Sequence, residues 1–447
     1  MTLTPLCTIA YRLAAFDQDI AERIDGILRE HGEITSGTLK SQFELLLHNP
    51  LHSLSVDDSD VPVLIVLDAL DECGTAQSRI PLLRILEKEL STLPPKYRFL
   101  ITSRPEEDLI VLKSLPSAHV IEVGSALDDT KKDVDSYIRF EFEKLRLSKR
   151  LNVPDDWPWE SNLKKLSEAA DGLFIWASTA IKFVTEAKAY RFRRLRELVE
   201  NDVKLTLEDL YVTVLENAFQ WDEDMKKIFT TVLALIFFSK TPLVDSDIDQ
   251  ILGLENETVA DLISCLRSLI SYERGHPIRI HHTSLYDYLI TCRGRSWFVD
   301  VDAQREIISS RCFDIMEKYL RFNICDLQSS FIPNKDVPGL TERIHERISR
   351  ALKYICCNWA YHLQDTGYSQ ELSRRLELFV YNRLLFWFEI LSLTEMFDDC
   401  VGTALIYAIA WLGVSSLYLT KSFIISNVYS EQKSKAICFL TGCSDAS

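Results

Sequence analysis

The sequence predicts an α/β unit followed by mainly α structure, on three observations. A short aliphatic run, VLIVL at 63–67, stops abruptly on acidic residues. A second apolar run, Phe99 to Thr102, follows it after one helix length. Beyond about residue 126, apolar side chains recur at helical spacing through most of the chain.

Each element has its own justification. Near the start, AERIDGILREHG at 21–32 reads as a polar-faced helix, and QFELLLHNPL at 42–51 as another. The turn-like SVDDSDVP then introduces VLIVL, whose Val, Leu and Ile content suits a strand buried on both faces of a parallel sheet. Ile80, Leu83, Leu86 and Leu90 mark a helix over 77–93, closed by LPP. The next strand ends on Ser103 and Arg104, just before Pro105, and a parallel crossover places that end beside Asp68. HVIEV at 119–123 predicts a third strand, and DDTKKDVDSYIRFEFEKL an amphipathic helix. After the turn-rich VPDDWPW at 153–159, two helices flank Gly172, with Phe174 expected in the core. Residues 241–289 order two short helices, a Gly- and Pro-containing turn and a strand, which suits a winged helix. Its second helix offers Arg267 as the sole base, so a clamp within the protein is expected rather than a DNA reader. Helices continue over 300–400 without a repeat period.

The chemistry concentrates in VLIVLDALDECG at 63–74. Asp68, Asp71 and Glu72 stand at the carboxyl end of a parallel strand, where ligands of such sheets bind. Three acids there repel one another unless a cation neutralises them. A Walker B strand is built this way, one Asp holding Mg²⁺ and a neighbouring acid activating water. The competing reading is a solvated strand end that caps the next helix.

Four motifs in order, VLIVLDALDECG, RFLITSRPE, DGLFIWAST at 171–179 and HHTSLYDYL at 281–289, resemble the NACHT-type signalling NTPases of the STAND class, and most of all the fungal proteins with a WD-repeat or other repeat array. The likeness extends from residue 5 to about 393. It implies a partial P-loop NTPase sheet at 1–125, a helical domain at 126–205, a winged helix at 206–295 and a C-terminal helical region at 296–447. It also implies an ATP/ADP-dependent switch that oligomerises when open. By that resemblance Asp68 coordinates Mg²⁺, Asp71 or Glu72 activates water, Arg104 senses phosphate, and His282 touches the ADP β-phosphate.

One part of the family pattern is missing. No glycine is followed by Lys, so no G-x-x-x-x-G-K-[ST] loop is present to converge backbone N–H groups on phosphates. Gly32 to Ser41 misses the spacing and follows a helix rather than a strand. The expectation is a NACHT unit that begins after its phosphate loop and ends before its repeat array, binding nucleotide weakly or not at all. The alternative is a non-catalytic interaction scaffold, or a truncated product of a larger protein, working through protein partners or self-association.

Composition narrows the class. The 447 residues predict about three domains. A formal net charge of −16 argues against a nucleic-acid surface, and the basic run Arg191 to Arg196 is expected to be a solvated helix face. Eleven scattered cysteines, with no secretory signal and no C-x-x-C pair, fit reduced thiols in the cytoplasm. His345-Glu346 lacks the second His of a metalloprotease helix, and no G-x-S-x-G occurs. VGTALIYAIAWLGVSSLYL at 401–419 is uncharged over about the length of a membrane span, but Gly413 and two serines predict a break.

Overall fold

The computed structural model describes residues 5–413, apart from residues 32, 33, 35, 36, 55–60, 75, 122, 125–127, 188, 201–204 and 330 and the side chain of Ser78. The chain divides into two units, Met1–Val123 and Gly124–Ser447.

The first unit begins with α1 (Pro5–Phe16) and α2 (Gln18–Glu30). Asp17 separates them and caps α2, its carboxylate accepting from the N–H groups of Asp19 and Ile20. Leu6, Ile9, Ala10 and Leu13 form the buried stripe of α1, at the spacing a helix face requires. Thr38 caps α3 (Leu39–Phe43), which passes through one π turn, Glu44–His48, into α4 (Asn49–Ser53). Lys40 lies on α3 and pairs with Glu44, and among the described residues no strand stands between α2 and α3.

Strands β1 (Val63–Leu67) and β2 (Tyr97–Ile101) then pair in parallel with Ile65 opposite Phe99, joined by α5 (Ala76–Glu89); α6 (Ile110–Lys113) follows. Packing covers one face of this sheet. Ile65 and Tyr97 are buried, whereas Leu64, Val66 and Leu100 are 58%, 54% and 48% exposed. The expected burial on both faces is thus corrected: an unbroken aliphatic run does not reveal whether helices flank a strand on two sides or one. The third strand is corrected as well. Residues 119–121 and 123 are in no strand, with Val120, Ile121 and Val123 exposed, and Glu122 lies outside the described residues. Backbone groups with no ladder partner need water, and exposure supplies it.

Among its described residues, the regular structure of the second unit is helical except for one short hairpin. It opens with α7 (Asp128–Leu147), α8 (Trp159–Ala170), α9 (Phe174–Glu186) and α10 (Arg191–Val199). Val134, Ile138, Phe142 and Leu145 line the buried face of α7. Trp176 is the central aromatic here, fully buried with its indole N–H donated to the Leu205 carbonyl at 3.0 Å. Phe174, expected in the core, is instead 49% exposed with its ring 5.8 Å from Tyr137. Its place at the first residue of α9, beside the turn, keeps it at the surface. In the basic run, Arg191 and Arg194 donate to the carbonyls of Thr185 and Phe183 at 3.1 and 2.7 Å. They satisfy groups that the end of α9 leaves without helical partners. Only part of that run is therefore a solvated face.

Next come α11 (Leu207–Ala218), α12 (Glu223–Phe238), α13 (Asp245–Leu252), α14 (Thr258–Ser264), an antiparallel hairpin of β3 (Ile270–Ser271) and β4 (Arg279–Ile280), and α15 (Ser284–Thr291). Two buried acids on α13 organise α14 and the hairpin. Asp245 accepts from the Tyr272 hydroxyl at 2.7 Å and the Gly275 N–H at 3.3 Å, tying the hairpin to the helix. Asp249 accepts from the N–H groups of Glu257 and Val259 at 2.9 and 3.0 Å, acting as a distant cap for α14. Asp249→Ala leaves the buried Val259 N–H and the half-buried Glu257 N–H without their acceptor and is expected to cost about 2 kcal/mol. Urea unfolding followed by tryptophan emission checks it. A midpoint equal to that of the parent protein would refute the capping role.

The remaining helices are α16 (Val301–Tyr319), α17 (Leu340–Arg347), α18 (Arg350–Gln364), α19 (Gln370–Asn382), α20 (Leu384–Leu393) and α21 (Phe397–Leu412). At their centre Trp387 packs edge to face on Trp359 and Phe379, and its indole N–H donates to the Cys356 carbonyl at 2.8 Å. Helix α21 ends at Leu412, and Gly413 takes a left-handed φ of 66°. Residues 414–419 of the uncharged stretch lie outside the described residues. No helix among the described residues is long and apolar enough to cross a membrane.

Candidate functional site

The acids at the end of β1 are held by the end of β2. Parallel pairing continues past the strands: the Thr102 N–H reaches the Leu67 carbonyl at 3.0 Å, and the Leu70 N–H reaches the Thr102 carbonyl at 2.9 Å. Between them Ala69 adopts a left-handed backbone, φ 51° and ψ 54°, a conformation that costs a residue with a Cβ about 1 kcal/mol. The Thr102 hydroxyl supports this bend. It accepts from the Ala69 N–H at 2.8 Å and donates to the Asp68 carboxylate at 2.5 Å. Thr102 was legible only as a strand end, because its partners Ala69 and Asp68 lie more than thirty positions away.

Asp71 follows on a short 3₁₀ turn, Leu70–Glu72. Its side chain is only 6% exposed and is engaged by Arg104, which donates its backbone N–H at 3.0 Å and brings its guanidinium Nε to 3.6 Å. The repulsion anticipated among three carboxylates is thus relieved from within the protein. Asp68 has Thr102, Asp71 has Arg104, and Glu72 faces solvent. Among the described residues, no group of three or more His, Cys, Asp or Glu side chains is placed to hold a metal ion.

Arg79 on α5 secures the turn from below. Its side chain is 2% exposed, and all five N–H donors have partners. Nε and Nη2 bind the Asp108 carboxylate side-on, both at 3.0 Å, and Nη2 also reaches Glu106. Nη1 donates to the carbonyls of Gly74, at 3.0 Å, and Asp71. The hydrogen bonds from Arg79 hold the Asp108 carboxyl below its ordinary range. One guanidinium therefore ties the acidic turn to the segment after Arg104. Sequence reading missed it because an Arg inside an apolar helical period looks like a surface position.

Asp68, Asp71, Glu72 and Arg104 all belong to the first unit, and His282 belongs to the second. His282 Nδ1 accepts from the Ser284 N–H at 3.1 Å and lies 2.6 Å from the Ser284 hydroxyl, which also contacts the Tyr211 hydroxyl at 2.8 Å. Since Nδ1 accepts from a backbone N–H, the neutral ring carries its proton on Nε2. His282 thus stands just before the N-cap Thr283, its ring accepting from the first N–H of α15. Its neighbour His281 is bound through Nε2 to the Arg267 carbonyl at 3.1 Å.

Residues 2–104 match the profile of the family described as Nephrocystin 3, N-terminal, a NACHT-associated domain. The match covers less than a quarter of the chain and ends on Arg104. No curated protein and no solved structure matches the chain.

Proposed function

We propose that this chain is a NACHT-related signalling protein that works as a protein-interaction scaffold, with Asp71, Arg104, Thr102 and Arg79 acting as internal ties of the first unit. The observation that carries this reading is the Asp71–Arg104 pair: the best-buried acid of the motif is already neutralised by the arginine that would otherwise read a phosphate. Supporting it, Asp68 shares one carboxylate oxygen with Thr102. This donor set does not by itself make a Mg²⁺–triphosphate site, since one solvent-facing carboxylate is a weak hold on a cation that favours octahedral oxygen ligands.

A second reading is favoured by one feature. Asp68 is exposed at the carboxyl end of a parallel strand, beside Arg104, where a nucleotide-dependent switch keeps its Mg²⁺ and phosphate contacts. On that reading Asp68 would hold Mg²⁺, Asp71 or Glu72 would handle water, Arg104 and His282 would meet phosphate, and residues 206–295 would be the winged helix that closes on ADP.

Nucleotide released from the purified, denatured protein separates the two readings. The scaffold reading expects no stoichiometric ADP or ATP, and no Mg²⁺-dependent binding of a fluorescent ADP analogue. Stoichiometric ADP that disappears in Asp68→Ala, while the variant stays folded by circular dichroism, would overturn it in favour of the switch.

A further inference from the structure

A cleft of about 460 Å³ opens in the second unit where the last turns of α9, α11 and α14 meet α10 and the turn after α14. Its volume lies within the roughly 300–1,000 Å³ that small-molecule sites span. Arg194 on α10 and Arg267 after α14 line it with two guanidiniums, and Glu186, the last residue of α9, adds one carboxylate. Among the described residues none of these three makes an ion pair. With 66 acidic residues against 50 Lys and Arg, the two arginines are not unpaired for want of carboxylates in the chain.

Neutral groups hold both guanidiniums in place. Arg194 donates from Nη1 to the Phe183 carbonyl at 2.7 Å and stands 4.5 Å from the centre of the Phe183 ring, while Arg267 stands 5.8 Å from that of Tyr272. Most of each planar fork is left for a carboxylate. The other polar groups of the cleft accept rather than donate. Asn217 gives its two Nδ2 N–H bonds to Glu197 at 2.9 Å and the Thr213 carbonyl at 2.8 Å, so Oδ1 is the atom that remains. Ser264 donates to the Ala260 carbonyl at 2.7 Å and keeps its lone pairs. The carbonyl ends of three helices add partial negative charge on the same side as Glu186.

We infer that this cleft binds a free dicarboxylic α-amino acid, with its carboxylates on Arg194 and Arg267 and its ammonium at Glu186, Asn217 and Ser264. Charge selects the class. The cleft carries two positive charges and one negative, and such an amino acid carries the reverse. A monocarboxylic amino acid leaves one guanidinium unmatched, and a dicarboxylate without an amine leaves Glu186 unmatched. No aromatic side chain among the described residues lines the cleft, so a nucleobase has no ring to stack on.

The test titrates L-glutamate into the full chain by calorimetry. Saturable one-to-one binding with a Kd below about 1 mM is expected, and about tenfold weaker binding of glutarate, which lacks the ammonium, and of L-glutamine, which lacks the second charge. Arg267→Ala should weaken L-glutamate by about tenfold, and Glu186→Gln should bring glutarate level with it. Both side chains are exposed, so these variants keep the fold, which circular dichroism checks. Arg194 is left in place because it also holds the Phe183 carbonyl. The exposed Cys265 lines the cleft, so bound L-glutamate should slow its alkylation several-fold and leave Cys73, in the first unit, unchanged. Three results would each overturn the inference: neither heat nor protection of Cys265 at about 10 mM L-glutamate, glutarate binding as tightly as L-glutamate in the parent protein, or undiminished binding in folded Arg267→Ala.

Discussion

Arg79→Ala is expected to destabilise the first unit by about 3 kcal/mol, the order of loss seen when one partner of a buried ion pair is removed. The effect has several sources acting at once. Asp108, 15% exposed, loses its side-on partner, and the carbonyls of Asp71 and Gly74 lose a charged donor. Lysine cannot repair this. An ammonium is a compact charge without the planar fork that meets a carboxylate and two carbonyls together, so Arg79→Lys should recover less than half of the loss. The measurement must see the first unit. All eight tryptophans lie between Trp157 and Trp411, in the second unit, so their emission is silent about Arg79. Amide exchange over Val63–Leu67 and Tyr97–Ile101 is the right probe. Faster exchange in both strands, with the tryptophan transition in place, is the expected pattern. Unchanged protection in β1 would show that the clamp is dispensable.

The web of contacts around Arg79 also shows why part of the site was readable and part was not. Asp68, Asp71 and Arg104 were legible because an aliphatic run that stops on acids, followed one helix later by another that stops on an arginine, constrains both strand ends to one edge of a parallel pair. Their mutual engagement was not. A motif presents each acid as a ligand for something absent, whereas the fold uses Arg104 to neutralise Asp71. Thr102 and Arg79 were invisible for a related reason: their partners are backbone groups and residues some thirty positions away, which no local pattern encodes. The same limit explains Leu64, Val66 and HVIEV. Periodicity reports that a segment is apolar, but not which neighbours arrive to cover it. The helices, in contrast, were readable almost throughout, because Val134, Ile138 and Phe142, or Leu163, Leu166 and Ala170, carry their spacing within a single element.

Stability of the second unit is expected to fall steeply as the pH drops from about 6.5 to about 4, and His362 is the reason. Its side chain is buried on α18, with Nε2 2.9 Å from the Tyr354 hydroxyl, which in turn accepts from the Lys240 N–H at 3.1 Å. Burial pushes the imidazole down to about 4, reinforced by the nearby Lys240 ammonium and opposed by Asp365. Between the folded value near 4 and the unfolded value of 6.5, the unfolded chain binds a proton that the folded chain refuses, so acid favours unfolding. His362 thus contributes stability that is fully present above pH 6.5 and is lost progressively down to pH 4. At about 1.4 kcal/mol for each pH unit between the two values, the total is on the order of 3 kcal/mol. Carboxylates titrate in the lower part of this window, so the residue must be isolated by comparison. His362→Gln keeps a polar side chain but has no proton to gain, and it should flatten the urea midpoint over this range while costing about 1 kcal/mol at pH 7. Tryptophan emission reads the transition well here, because Trp359 lies on the same helix and Trp411 donates to Thr366 just past its end. If parent and variant lose stability in parallel from pH 6.5 to 4, the buried imidazole is not the acid-sensitive group, and the carboxylates of the unit carry the effect instead.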